Sequence, residues 1–146
     1  MWAIPRILNR QKTSLRMSMK IEDLQGTYEA KDISEFDTLL QKRYGPAVNS
    51  FWLSHNNENY PALSLLVSGD LSTLKYLPND SHAGFIPAGR VKALPEGGFT
   101  TFRIDTVEQE IEIANEAVIP VSAALSAARE FFCSPQLPPS IEWIEL

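Results

Sequence analysis

ALSLLVSGDLSTLKYL, residues 62–77, is the stretch that decides the fold. Its first half, Ala62–Ser68, is apolar at odd and even positions alike. That pattern belongs to a strand covered on both faces, hence to the middle of a sheet. Gly69-Asp70 is a turn signal, because glycine reaches the left-handed backbone that a tight turn needs and a short acid suits its solvent side. Leu71–Leu77 then reads as the hairpin partner.

Working outward toward the N-terminus, Ser50–His55 (SFWLSH) is a strand candidate, separated from the central strand by the turn cluster Asn56–Asn59. Asp32 followed by Glu35 is a helix N-cap pattern. Phe36, Leu39, Leu40 and Tyr44 then form one apolar helical stripe, with Gly45-Pro46 as its stop. Residues 20–31 read as a short strand or loop around Gly26.

Toward the C-terminus, Gly84–Pro87 is a short strand candidate, Pro95–Gly98 a turn, and Phe99–Ile104 an alternating strand. Val107–Ile113 (VEQEIEI) alternates too, so a period of two predicts Glu108, Glu110 and Glu112 in a row on one face. Pro120 suits the first position of a helix whose stripe is Val121, Ala124, Leu125, Ala128, Phe131 and Phe132. Ser134-Pro135 ends it, and Ile141–Ile144 reads as a last strand. Helix, antiparallel meander, helix and strand together predict a single α+β domain over residues 19–146: a mainly antiparallel sheet with two helices packed on one face.

The 146 residues suit one domain. A hydrophobic share of 44% with 21% charged excludes a disordered or fibrous chain. No apolar run approaches the roughly 20 residues that cross a bilayer. One cysteine, Cys133, cannot form an internal disulfide, which fits a reducing compartment and predicts a cytoplasmic protein. Cys133 itself reads as a small buried apolar residue. Residues 1–18 are basic and acid-free. They lack the apolar core of a secretory signal and are short for a transit peptide. They read as a disordered arm or as a start placed too early, with Met17 and Met19 close behind.

The net charge of −5 hides a split. Residues 1–20 carry +5, while residues 21–146 hold all 18 acids against 8 bases, a net of −10. Such a body repels nucleic acid and attracts basic partners. The Glu108/Glu110/Glu112 row is either a solvated sheet face or a docking surface for a basic protein.

Catalytic signatures are missing. His55 and His82 stand 27 residues apart without ligand-type neighbours, so no metal site is expected. No phosphate-binding, dinucleotide, nucleophile-elbow or metalloprotease motif occurs, so neither cofactor nor catalytic residue is expected. An enzyme built on Asp70, His82 or Asp105 has no motif to recommend it.

Residues 119–143, IPVSAALSAAREFFCSPQLPPSIEW, and residues 63–77, LSLLVSGDLSTLKYL, resemble an immunity-protein family of bacterial polymorphic toxin systems, the first in that numbered series. The resemblance rests on Gly69, Asp70, Pro120, Ala124, Arg129, Glu130, Phe131, Pro138 and Trp143, with Phe85 and Gly89 between the two stretches. It departs at Ser134-Pro135, where such members often have Thr-Gly.

The resemblance implies a cytosolic antidote that binds a cognate toxin domain, typically a nuclease or nucleic-acid deaminase, and blocks it stoichiometrically without turnover. Its partner would be a basic protein, with no nucleic acid and no membrane involved. The expected contacts are Glu108, Glu110 and Glu112, then Asp80 and Glu96. The competing expectation is a small-ligand-binding regulatory domain with a pocket between sheet and helices, lined by Trp52, Tyr76 and Phe102.

Overall fold

A computed structural model describes residues 18–146. The basic extension expected over residues 1–18 therefore lies, apart from Ser18, outside the described residues. Ten strands and two helices follow in order: β1 (Met19–Glu22), β2 (Thr27–Ala30), α1 (Ile33–Leu40), β3 (Val48–His55), β4 (Ala62–Ser68), β5 (Leu71–Leu77), β6 (Phe85–Pro87), β7 (Phe99–Arg103), β8 (Glu110–Ala114), β9 (Ile119–Pro120), α2 (Val121–Cys133) and β10 (Trp143–Glu145). The expected α+β domain is what forms. A main antiparallel sheet runs β10-β6-β5-β4-β3-β1-β2, β9 joins it against the start of β5, and β7-β8 is a separate hairpin.

The β4–β5 hairpin occupies the centre as its sequence predicts. Ser68 pairs with Leu71 across the two-residue turn, and Gly69 takes φ +59°, which a side chain would resist. The Asp70 carbonyl accepts from the Val121 N–H at 2.8 Å, so this turn also satisfies an orphan donor at the start of α2.

Alternation along the central strands separates two faces. Phe51, Leu53, Leu63, Leu65, Val67, Leu74 and Tyr76 point to one side and are buried under both helices. There α1 supplies Phe36 and Leu40, and α2 supplies Ala124, Ala127, Ala128, Phe131 and Phe132. The alanines let α2 approach the sheet closely while the phenylalanines fill its far end; Phe36 meets Phe132 with ring centroids 5.0 Å apart. His55 lies in this layer, its Nε2 3.1 Å from the Phe132 carbonyl and its ring 4.8 Å from Phe131. Burial pushes its pKa down, so it is a neutral core donor.

The opposite face is covered in part by the β7–β8 hairpin. Phe102 is fully buried against Leu66 and Val118, with Leu71, Ile111 and Ile113 beside them. Two polar joints hold the connection. Thr73 donates to the Ala117 carbonyl at 2.6 Å, and Asn115 bridges Thr100 and the Pro95 carbonyl. Gly89 crosses the 116–118 segment so tightly that a Cβ would stand 2.1 Å from the Val118 carbonyl oxygen. Only glycine fits that approach.

Several expectations shift. Helix α1 stops at Leu40, five residues before Gly45: the Gln41 and Lys42 N–H groups close onto the Thr38 and Leu39 carbonyls, Arg43 takes the Leu40 carbonyl, and the Lys42 carbonyl just beyond accepts from Arg43 and Asn49. Its N-cap is as expected, Asp32 accepting from the Glu35 N–H at 2.8 Å, while Glu35 reaches back to the Lys31 N–H. Helix α2 begins at Val121, so Pro120 is its cap and not its first residue. Cys133 is exposed, contrary to the buried reading, because it ends α2 on the side away from the stripe.

Candidate functional site

The acids expected to bind a partner are distributed by the β7–β8 hairpin and two loops. Register pairs Arg103 with Glu110 and Thr101 with Glu112, which places both glutamates on the outward face of the hairpin. Glu108 does not join them. The chain turns at residues 104–109, with Asp105 at φ +66° and the Ile104 N–H bonded to the Gln109 carbonyl at 2.9 Å. Strand β8 therefore starts at Glu110, and the row of three carboxylates becomes two on the strand and one in the turn. The turn forms because Arg103 reaches both the Val107 carbonyl at 3.3 Å and the Glu110 carboxylate at 3.2 Å.

Glu96 sits at the other end of the hairpin, in the exposed loop before β7, 3.3 Å from Arg90. The neighbouring Glu116 accepts from the Gly97 N–H at 3.0 Å. That bond, with a second from its own backbone, holds its carboxyl below the usual range against slight desolvation, helped by Arg90. Asp80 is exposed on the β5–β6 connection, where it accepts from the Ser81 hydroxyl at 3.2 Å. The structure brings Glu110 and Glu112 together and leaves Glu108, Glu96 and Asp80 in three separate loops.

Beneath the hairpin lies a groove of about 550 Å³. Its floor is the second face of the main sheet: Trp52, Leu66, Leu77 and Ile86. Its wall is the inward face of the hairpin: Ile104, Ile111 and Ile113. Lys75 and Glu112 also line it, as does Leu146. The expected pocket between sheet and helices does not form around Trp52, Tyr76 and Phe102. Register puts Tyr76 in the helix-side core, Phe102 fully inside the hairpin packing, and only Trp52 in the groove on the opposite face. The apolar alternation of VEQEIEI was the available signal for that wall, since Ile111 and Ile113 had to face something.

The large apolar side chains left exposed among the described residues are Phe99, Ile144 and Leu146, at 63%, 48% and 53%. Phe99 starts the hairpin, Ile144 pairs with Ile86 of the groove floor, and Leu146 lines the groove. All three lie on the hairpin side of the sheet.

The residues considered for catalysis are occupied structurally. His82 accepts from the Gly84 N–H at Nδ1, 2.7 Å, which leaves its proton on Nε2 facing Glu145 at 2.7 Å. Asp70 and Asp105 are turn residues. Among the described residues no three His, Cys, Asp or Glu side chains are grouped to hold a metal ion, and no helix is long and apolar enough to cross a membrane.

No family model matches the chain. Over 128 residues it is 23% identical to a double-stranded DNA deaminase immunity protein of Burkholderia cenocepacia (strain H111), an alignment that covers 88% of this chain and 100% of that protein. This similarity supports the immunity-protein class that residues 63–77 and 119–143 resemble, without reaching a numbered family.

Proposed function

We propose that this chain is an immunity protein. It binds a cognate secreted bacterial toxin domain, a nuclease or nucleic-acid deaminase, and neutralises it by occupying it stoichiometrically in the cytoplasm, with no turnover, nucleic acid or membrane of its own. The observation that carries this reading is the similarity, over 88% of the chain and the whole of the other protein, to an immunity protein whose name specifies a DNA deaminase. The charge supports it. Residues 21–146 carry a net −10, and a toxin that handles nucleic acid has a basic cleft for phosphates. An acidic inhibitor is steered to such a cleft and offers it the charge it was built to hold.

The contacts proposed are Glu110 and Glu112 on the outward hairpin face, Glu108 in the adjoining turn, and Glu96 and Asp80 in their loops. Exposed acids of this kind govern encounter rate more than residence time.

Co-expression of the full chain with the product of the adjacent upstream reading frame tests the reading. The expected result is a 1:1 complex at ~0.15 M salt, protection of the cells, and weaker capture at ~0.5 M, where screening shortens the reach of surface charge. A harmless neighbour that never co-purifies would overturn it.

A further inference from the structure

We propose that the groove between the main sheet and the β7–β8 hairpin is the anchor site for the toxin: it receives a loop carrying a bulky apolar side chain next to a lysine or arginine. This inference rests on the immunity reading and adds the surface and the chemistry it recognises. Three observations support it.

The first is an uncovered sheet face. The helix side of β3–β5 is sealed, whereas on the other side the hairpin covers Leu66 but leaves Trp52, Leu77 and Ile86 only partly buried. The apolar strip runs on into solvent through Ile144 and Leu146. A small metabolite would be held by an enclosed cavity, whereas a strip that leads out of a groove matches the way a protein loop lies across a surface. Anchors of this kind, apolar side chains in pockets ringed by polar groups, carry most of the energy in protein interfaces.

The second is charge left unanswered. Glu22, Glu110 and Glu145 each face a basic partner: Lys20, Arg103 and His82. The two charged residues that line the groove do not. Among the described residues, neither Glu112 on the hairpin nor Lys75 on the sheet has an ion pair within 4 Å. A loop lying in the groove would meet Lys75 with its main-chain carbonyls, and a basic side chain at its edge would reach over the hairpin to Glu112 on the outward face. The acid excess of the domain selects a basic loop over an acidic one.

The third is preorganisation. The walls are regular strands, the hairpin is pinned by buried Phe102, and the Asn115 and Thr73 bonds fix its base. An occupant would therefore not have to order the site as it binds.

The test uses the full chain, the toxin domain encoded by the adjacent upstream frame, and calorimetry. Ser64→Trp fills the groove from the middle of β4, and Ser126→Trp places the same bulk on the exposed side of α2. With both melting like wild type, Ser64→Trp should raise Kd by about 30-fold or more, the scale of a lost hot spot, and Ser126→Trp should leave it unchanged. Should Ser64→Trp misfold, Leu77→Ser removes apolar floor without adding bulk and should weaken binding through faster dissociation. Glu112→Lys should weaken it through slower association.

A wild-type protein that binds and protects, with a folded Ser64→Trp or Leu77→Ser variant that binds equally well, would overturn the groove and leave the immunity reading standing. Equal loss in Ser64→Trp and Ser126→Trp would do the same. A wild-type chain that neither binds nor protects would remove both.

Discussion

The two faces of one sheet have been treated differently. The helix face is closed: Phe51, Leu65 and Val67 meet Phe36, Ala124, Ala128 and Phe131, and every one of these is buried to about the same extent. The hairpin face is closed over Leu66 and open over Trp52, Leu77 and Ile86. The difference shows how alternation divides labour. The odd positions of β4 hold the domain together, and the even positions (Ser64, Leu66, Ser68) present a surface that a two-stranded ribbon covers only in part. Most of the buried core lies on one side, and recognition is proposed for the other.

The comparison is most strongly tested by cutting the closed side. Phe131→Ala should cost about 3–5 kcal/mol in denaturant titration, because its cavity lies between α2 and the sheet with no solvent to fill it. Binding should be lost only to the extent that the protein unfolds. Phe102→Ala should cost less, about 3 kcal/mol, since the hairpin can partly collapse onto Leu66. Its distinguishing sign is local. Amides of β7 and β8 should exchange faster while those of β3–β5 remain protected. Uniform deprotection across both sheets would erase the distinction between the faces.

Asp32→Ala, on the closed side but at its exposed rim, should cost about 1 kcal/mol, the usual value of an N-cap, and leave capture of the proposed toxin partner unchanged. His55 gives that side a pH dependence. Its folded pKa lies below the ordinary value of about 6.5, so the unfolded chain binds the extra proton and stability falls as pH drops below that value. Melting scans between about pH 7.5 and 5.5 should show the decline, and His55→Gln, which keeps a donor for the Phe132 carbonyl but cannot titrate there, should flatten it. The smallest effect is expected on the open side. Glu112→Lys should alter stability by no more than about 0.5 kcal/mol, since the carboxylate is exposed and unpaired among the described residues.

Much of the closed side was legible in the sequence. The stripe of α2, the Asp32 cap and the turn at Gly69-Asp70 each depend on a local rule, and each holds. Where local rules met competition they failed. The end of α1 is set by Arg43 capturing the Leu40 carbonyl while Asn49 holds the Lys42 carbonyl just beyond it, contacts no helical period announces. The turn that removes Glu108 from β8 is set by Arg103, whose reach to Val107 and Glu110 is invisible until the two strands pair. The open side was readable only by half. VEQEIEI foretold which face of β8 is apolar, yet not that the hairpin would cover Leu66 and leave an open groove beside it, lined by Ile111 and Trp52. A groove is a property of how far apart two elements sit, and spacing within one strand carries no information about that distance.

The strand order has a consequence in time. From β3 to β6 each strand pairs with the next in sequence, and the turn between β4 and β5 is two residues long. Closing such short loops takes little chain entropy, so we expect this meander to organise first. Strand β1 must wait, because its second partner β3 arrives some thirty residues later, and β10 can add only when β6 is in place. Pulse-labelled hydrogen exchange during refolding should protect amides of Leu63–Val67 before those of Met19–Glu22, and the reverse order would refute the sequence of events. The groove would then be among the last features completed: its floor is laid early by the meander, while Leu146, at its mouth, arrives with the final strand.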